Sequence, residues 1–180
     1  MNQTSESKPG VRGVRHRLLG PRSARPPVAV PAEGAPRASG DPPSPAAPVT
    51  KQRVLFVCIG NSCRSQMAEA FARAYGGDIL EARSAGVAPA AIIAPLTRET
   101  LAAWNLNIDD HFPKDLDFVA REPFDVVVNM SGITLARPGV RTVEWTVQDP
   151  IGQSDAVFRA VAGQIEGLVM RLILELRGGA

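Results

Sequence analysis

A chain of 180 residues holds one ordinary domain with a real core, with room besides for a tail. Its net charge of +2 is unevenly spread: residues 1–50 carry seven Lys or Arg against three acidic residues (+4), and residues 51–180 carry thirteen against fifteen (−2). The mildly acidic folded part argues against nucleic acid as a partner, and the basic opening contains no apolar run long enough for a signal-peptide core or a membrane span.

Residues 1–50 hold ten of the sixteen prolines, with PRSARPPVAVPAEGAPRASGDPPSPAAP at their heart. Such a composition cannot bury a core, so this segment is expected to be disordered, and activity is expected to survive its deletion. It reads as a linker, or as sequence upstream of the true start, rather than as a targeting or docking device. The folded domain is expected over residues 51–180, where strand and helix signals alternate in the manner of an α/β domain with a parallel sheet.

Arg53 to Val57 is apolar from Val54 onward, as a central strand buried on both faces would be. Ser65 to Tyr75 reads as a helix with Met67, Ala70, Phe71 and Ala74 on one face, stopped by Gly76-Gly77. Ile79 to Ser84 is a second strand, and Leu96 to Trp104 a second helix entered through Pro95. A loop through Asn105 to Asp117 leads to a third strand at Phe124 to Met130 and a fourth at Arg141 to Trp145. The last helix spans about Ser154 to Arg177, with Val157, Val161, Ile165, Leu168, Leu172 and Leu176 as one apolar stripe.

The chemistry concentrates in CIGNSCRS, Cys58 to Ser65, between the first strand and the first helix. Backbone amides of such a loop converge as an anion-binding nest, and the following helix adds its positive end. The same field favours thiolate over thiol at Cys58. Arg64 offers a planar fork of donors that matches two oxygens of a tetrahedral oxyanion. Asp149-Pro150 follows the fourth strand, so its carboxyl falls at the same carboxyl edge of the sheet as Cys58. A single carboxyl there can protonate a leaving oxygen and then activate water, provided that it is protonated in the free protein.

Only two cysteines occur, Cys58 and Cys63 in one loop, which is no disulfide framework. Two thiols with the distant His16 and His111 make a poor metal site, so no metal and no cofactor are assigned. His111 is expected to be solvated or to cap a helix. Reliance on a free thiolate suits a reducing cytoplasm.

The segment VCIGNSCRSQMAEA, with Ser84-Ala85-Gly86, the helix leading to Ile108-Asp109, FDVVVNM and Asp149-Pro150, resembles the low-molecular-weight protein tyrosine phosphatase superfamily. That group includes arsenate reductases built on the same fold, and the likeness covers about residues 52–177. It implies a flavodoxin-like, doubly wound, three-layer fold: a four-stranded parallel sheet with helices on both faces and the anion-binding loop after the first strand. It implies Cys58 as nucleophile, Arg64 as oxyanion clamp and Asp149 as general acid. The substrate would sit against Ile59, Gly60, Asn61, Ser62, Cys63 and Ser65. Ser65 would bond the Cys58 sulfur, Asn61 would hold the strained loop, and Cys63 would be able to pair reversibly with Cys58 under oxidation.

The leading expectation is a cysteine-dependent phosphatase that cleaves a phosphomonoester, protein phosphotyrosine among the candidates, through a phosphocysteine. GNSCRSQMAEA and EWTVQDP look more like the arsenate reductases. The thioredoxin-coupled members of that branch use two further cysteines after the third strand. Here Ser131 stands at the first place, and Ile133 to Val140 contains no cysteine. The alternative is therefore an arsenate reductase served by an external thiol: glutathione, mycothiol or glutaredoxin. Against phosphotyrosine, Ala90, Ala91 and Ile92 stand where a flanking aromatic is expected, and Ile151 where tyrosine is usual. Trp104, Phe112 and Trp145 are expected to pack near helix ends. A third reading, a non-catalytic oxyanion-binding module, is disfavoured by the joint presence of Cys58, Arg64 and Asp149.

Overall fold

The computed structural model describes residues 50–135 and 137–179; the proline-rich opening with His16, together with Ala136 and Ala180, lies outside the described residues. Strands β1 (Gln52–Cys58), β2 (Leu80–Gly86), β3 (Val126–Asn129) and β4 (Arg141–Glu144) form one parallel sheet in the order β2-β1-β3-β4. Helices α1 (Arg64–Gly76), α2 (Pro95–Ala103) and α3 (Asp155–Gly178) complete the domain. As the apolar run requires, β1 is central and buried from Val54 through Cys58. It extends one residue beyond its expected end, so Cys58 itself is the last residue of the strand.

Strand order and handedness decide which face each connection covers. The chain moves outward from β1 to β2, then reverses past β1 to β3 and on to β4. A right-handed connection places α1 on one face, α2 of the β2-to-β3 connection joins it there, and the later part of that connection passes over the other face. On the first face α1, α2 and α3 pack over Val54, Phe56, Val126 and Val128. On the second, Leu55, Val57 and Val127 are covered by Val119 and Phe124, with Leu116, Leu135 and Val140 at the rim. The expected doubly wound fold around a four-stranded parallel sheet is present. Hydrogen-bonded turns from Asp115 to Glu122 cover the second face, tied by Ala120 N to Asp117 O and Glu122 N to Val119 O. A segment carrying Pro113 and Pro123 at its ends lacks the length and periodicity for a helix.

α3 buries a wider arc than its stripe suggested. Phe158, Ala162, Val169 and Ile173 join Val161, Ile165, Leu172 and Leu176 inside, while Val157 and Leu168 are only half-buried. The helix packs on α1 and α2 together, so one narrow seam does not suffice. Ala74 of α1 is exposed, not buried. Gly76 ends α1 for a packing reason: a Cβ there would lie 2.9 Å from Ile173 and 3.0 Å from Leu80. α2 begins at Pro95 and closes through Asn105, whose φ of 58° lets Leu106 N reach Leu101 O. Among the described residues no helix is long and apolar enough to cross a membrane.

Candidate active site

β1 delivers Cys58 to the carboxyl edge of the sheet, at the point where the strand order reverses and crevices form. Residues 59–63 then turn back tightly enough for α1 to begin at Arg64. Three loop carbonyls are braced from outside, with Cys58 O accepting from Val87 N, Ile59 O from Ala88 N and Gly60 O from Ala90 N. Among the described residues, no backbone N–H from Ile59 to Cys63 donates to a protein acceptor. A loop with its carbonyls spent and its amides free, at a helix start, is an anion nest.

The loop's left-handed residue is Asn61, at φ 43°, rather than a glycine. Asparagine tolerates that region when its side chain is well bonded, and here it is fully occupied. Nδ2 donates to Ser65 Oγ and Ser84 Oγ, both at 2.8 Å, and Oδ1 accepts from Lys114 N at 2.8 Å and Gln66 Nε2 at 3.2 Å. Gly60 has room for a Cβ, whereas Gly86, at the end of β2, has none. A Cβ on Gly86 would meet Ile59 O at 2.7 Å and Asn61 N at 2.9 Å.

Cys58 Sγ lies 3.0 Å from Ser65 Oγ, and the cysteine is 2% exposed. The Arg64 guanidinium is locked from three sides. It donates to Met130 O at 3.0 Å, Val147 O at 3.2 Å and Asp149 Oδ2 at 2.5 Å, while its buried Nε has no partner. Asp149 is half-exposed, and its Oδ1 accepts from Ile151 N. A cavity of about 20 Å³ lies among Cys58, Gly60, Ser62, Cys63, Arg64, Asp149 and Ile151. Thus the expected residues Cys58, Arg64, Asp149, Gly60, Ser62 and Cys63 do converge. Ile59 and Asn61 support the loop behind it, and Ser62 turns its Oγ toward Ala94 N at the start of α2. Burial pushes the Cys63 thiol up to about 12, only partly offset by a hydrogen bond with Thr97.

A polar core behind the loop was not anticipated. Glu69, 1% exposed, accepts from Ser84 Oγ at 2.5 Å and stands 3.6 Å from Lys114 Nζ and 2.6 Å from Arg73. The Arg73 contact is out of line for a hydrogen bond, so Glu69 Oε1 has an ion-pair partner but no hydrogen-bond donor. His111, expected to be solvated, is buried. Arg73 donates to its Nε2 at 3.1 Å, so Nδ1 carries the proton and donates to Gln66 Oε1 at 2.8 Å. Burial lowers the His111 pKa, keeping the ring neutral. A signal for this core was present: Gln66 and Glu69 interrupt an otherwise apolar helix face.

The aromatic expectations divide. Trp104 packs edge-on against Phe71 and Trp145 tilts against Phe56, but Phe112 is exposed beside Phe118. Ala90, Ala91 and Ile92 are exposed. Ser131, at the place of a relay cysteine, donates to Asn129 Oδ1 at 2.6 Å.

The sequence profile of the low molecular weight phosphotyrosine protein phosphatase family matches residues 53–179. The chain belongs to this family. Within it the chain is 31% identical over 130 residues to a glutaredoxin arsenate reductase of Synechocystis, covering 69% of this chain and 98% of that one. Among solved structures, a thioredoxin-dependent arsenate reductase of Corynebacterium glutamicum is 33% identical with TM-score 0.62, covering 75% of this chain and 65% of that one. A low molecular weight protein tyrosine phosphatase from T. tengcongensis is 29% identical with TM-score 0.60, covering 69% and 99%. The chain is thus an enzyme-family member whose named relatives include both reductases and phosphatases.

Proposed function

We propose that this family member is an arsenate reductase that draws its electrons from an external thiol. The observation that carries the reading is an open oxyanion nest around Cys58 in a chain without a second reactive thiol. Cys63, the only other cysteine, is buried and holds its proton to about 12, which makes it a poor resolving nucleophile. Likeness to reductases named for glutaredoxin and thioredoxin supports the same choice over the phosphatase first expected.

The Cys58 sulfur attacks arsenic in the nest, and an arsenate oxygen leaves as water after taking a proton relayed through Asp149. That carboxylate picks the proton up from solvent once the bound oxyanion replaces it beside Arg64. Arg64 Nε and the loop amides hold the remaining oxygens. An external thiolate then attacks the Cys58 sulfur. The S–As electron pair passes to arsenic, which leaves as arsenite, and Cys58 remains as a mixed disulfide. A second thiolate displaces Cys58 and carries away the disulfide. Two electrons reach arsenic and two thiols become one disulfide.

Phosphate-ester hydrolysis stands second, favoured by the half-exposed Asp149 beside the cavity. A paired assay decides. Arsenite is expected from arsenate only when glutathione, mycothiol or glutaredoxin is supplied, and Cys58→Ser is expected to abolish it. Rapid phosphate release from p-nitrophenyl phosphate without thiol, with no arsenite under any of the three donors, overturns the reading.

A further inference from the structure

We infer that Asn129 is a positioning residue for Arg64, acting through the peptide plane that joins Met130 to Ser131; this rests on the reading of Arg64 as the oxyanion clamp. Asn129 closes β3, a buried strand that is otherwise three valines, and is itself 1% exposed. Its carboxamide uses every hydrogen-bonding position it has. Oδ1 accepts from Ser131 N at 3.0 Å and from Ser131 Oγ at 2.6 Å. Nδ2 donates to Ile133 O at 2.8 Å and to Glu144 Oε1 at 3.0 Å. A backbone N–H only donates and a carbonyl only accepts, so the amide has one orientation.

In a trans peptide the C=O and the following N–H point in opposite directions. With Ser131 N–H held by Asn129 Oδ1, Met130 O must point the other way, and there it receives Arg64 Nη1 at 3.0 Å. Met130 N is tied to Val57 O, and Asn129 O accepts from Trp145 N, so the sheet fixes the chain up to this plane but not the plane's own rotation. Gly132, at φ 73°, turns the chain back so that Ile133 N reaches Ser131 Oγ and Ile133 O reaches Nδ2. Arg64 Nη1 has two hydrogens, one for Met130 O and one for Val147 O, and Nη2 reaches Asp149. These bonds set the plane of the guanidinium and with it the direction of the unpartnered Nε. Rotating the Met130–Ser131 plane withdraws one carbonyl and lets the fork twist. None of the four carboxamide bonds touches the nest, so the influence of Asn129 there runs through Arg64.

The test is the affinity of the full chain for inorganic phosphate by isothermal titration calorimetry, with thermal midpoints measured alongside. Asn129→Ala is expected to bind phosphate about tenfold more weakly. In an Arg64→Lys background, which lacks the fork, the same change is expected to weaken binding by less than about twofold further. A residue that merely braced the fold would lower affinity equally in both backgrounds. Asn129→Asp keeps the oxygen that holds Ser131 N–H and loses both donors beside Glu144. It is expected to lose thermal stability yet bind phosphate within about threefold of wild type, and it decides the matter should Asn129→Ala not fold. Equal weakening in the two backgrounds, unchanged affinity in a folded Asn129→Ala, or a loss of about tenfold in Asn129→Asp overturns the inference while leaving the clamp reading intact. Wild-type affinity in Arg64→Lys, or no phosphate binding by the wild type, overturns both.

Discussion

The Arg64 guanidinium stands 2.5 Å from the Asp149 carboxylate, although 85 residues separate them. One group opens α1 and the other follows β4, so their meeting joins the loops at two strand ends over the sheet. Two further bonds from Arg64, to Met130 O and Val147 O, hold the guanidinium from the residue after β3 and from the segment before Asp149.

This arrangement separates chemistry from stability. Asp149→Asn is expected to lower turnover about 100-fold or more while leaving oxyanion binding and thermal midpoint near wild type, because Asp149 is half-exposed. Arg64→Ala is expected to lose activity and also stability, at about 1–3 kcal/mol for each buried carbonyl left unpaired. Parallel calorimetry and steady-state kinetics distinguish the two patterns, and a stable, inactive Arg64→Ala would contradict the structural role.

Gly86→Ala adds a methyl where Ile59 O and Asn61 N already stand within 3 Å. The backbone of the loop must shift, at a cost of about 1–3 kcal/mol. Activity is expected to fall more steeply than stability, since the nest itself is displaced. Urea unfolding compared with turnover checks this, and Gly163→Ala on α3, where nothing lies within 4 Å of the added methyl, serves as the control.

His111 links stability to pH. Its folded pKa lies below the ordinary 6.5, chiefly through burial, so the unfolded chain binds a proton more readily. The stability it contributes is therefore fully present above pH 6.5 and is lost as pH falls through the depressed folded value. Thermal midpoints measured between pH 7.5 and 5 should drop for wild type. A smaller drop is expected for His111→Gln, and equal slopes would remove His111 as the cause.

The two loop cysteines should differ in reactivity. With its thiol pushed up to about 12, Cys63 stays protonated at neutral pH. Brief iodoacetamide treatment at pH 7 followed by peptide mass spectrometry is expected to find the label on Cys58, with Cys63 labelled only after unfolding. Equal labelling of both would contradict this difference.

Local code made much of this protein readable. The run from Val54 to Cys58 declares a central strand because apolar side chains point to both faces. The loop CIGNSCRS needs only its own backbone and the following helix to form a nest, so the pairing of Cys58 with Arg64 as a candidate site is legible in the sequence. Tertiary contacts alone decided the rest. Glu69 and His111 look like ordinary polar residues until Ser84, Lys114, Arg73 and Gln66 close around them from 4 to 45 positions away. Which residues cover the second face is decided by where the connection from β2 past β1 to β3 runs, which no short window records. Periodicity and motif act within about ten residues. Burial of a charge, and the partners that make it tolerable, depend on segments that meet only when the chain has folded.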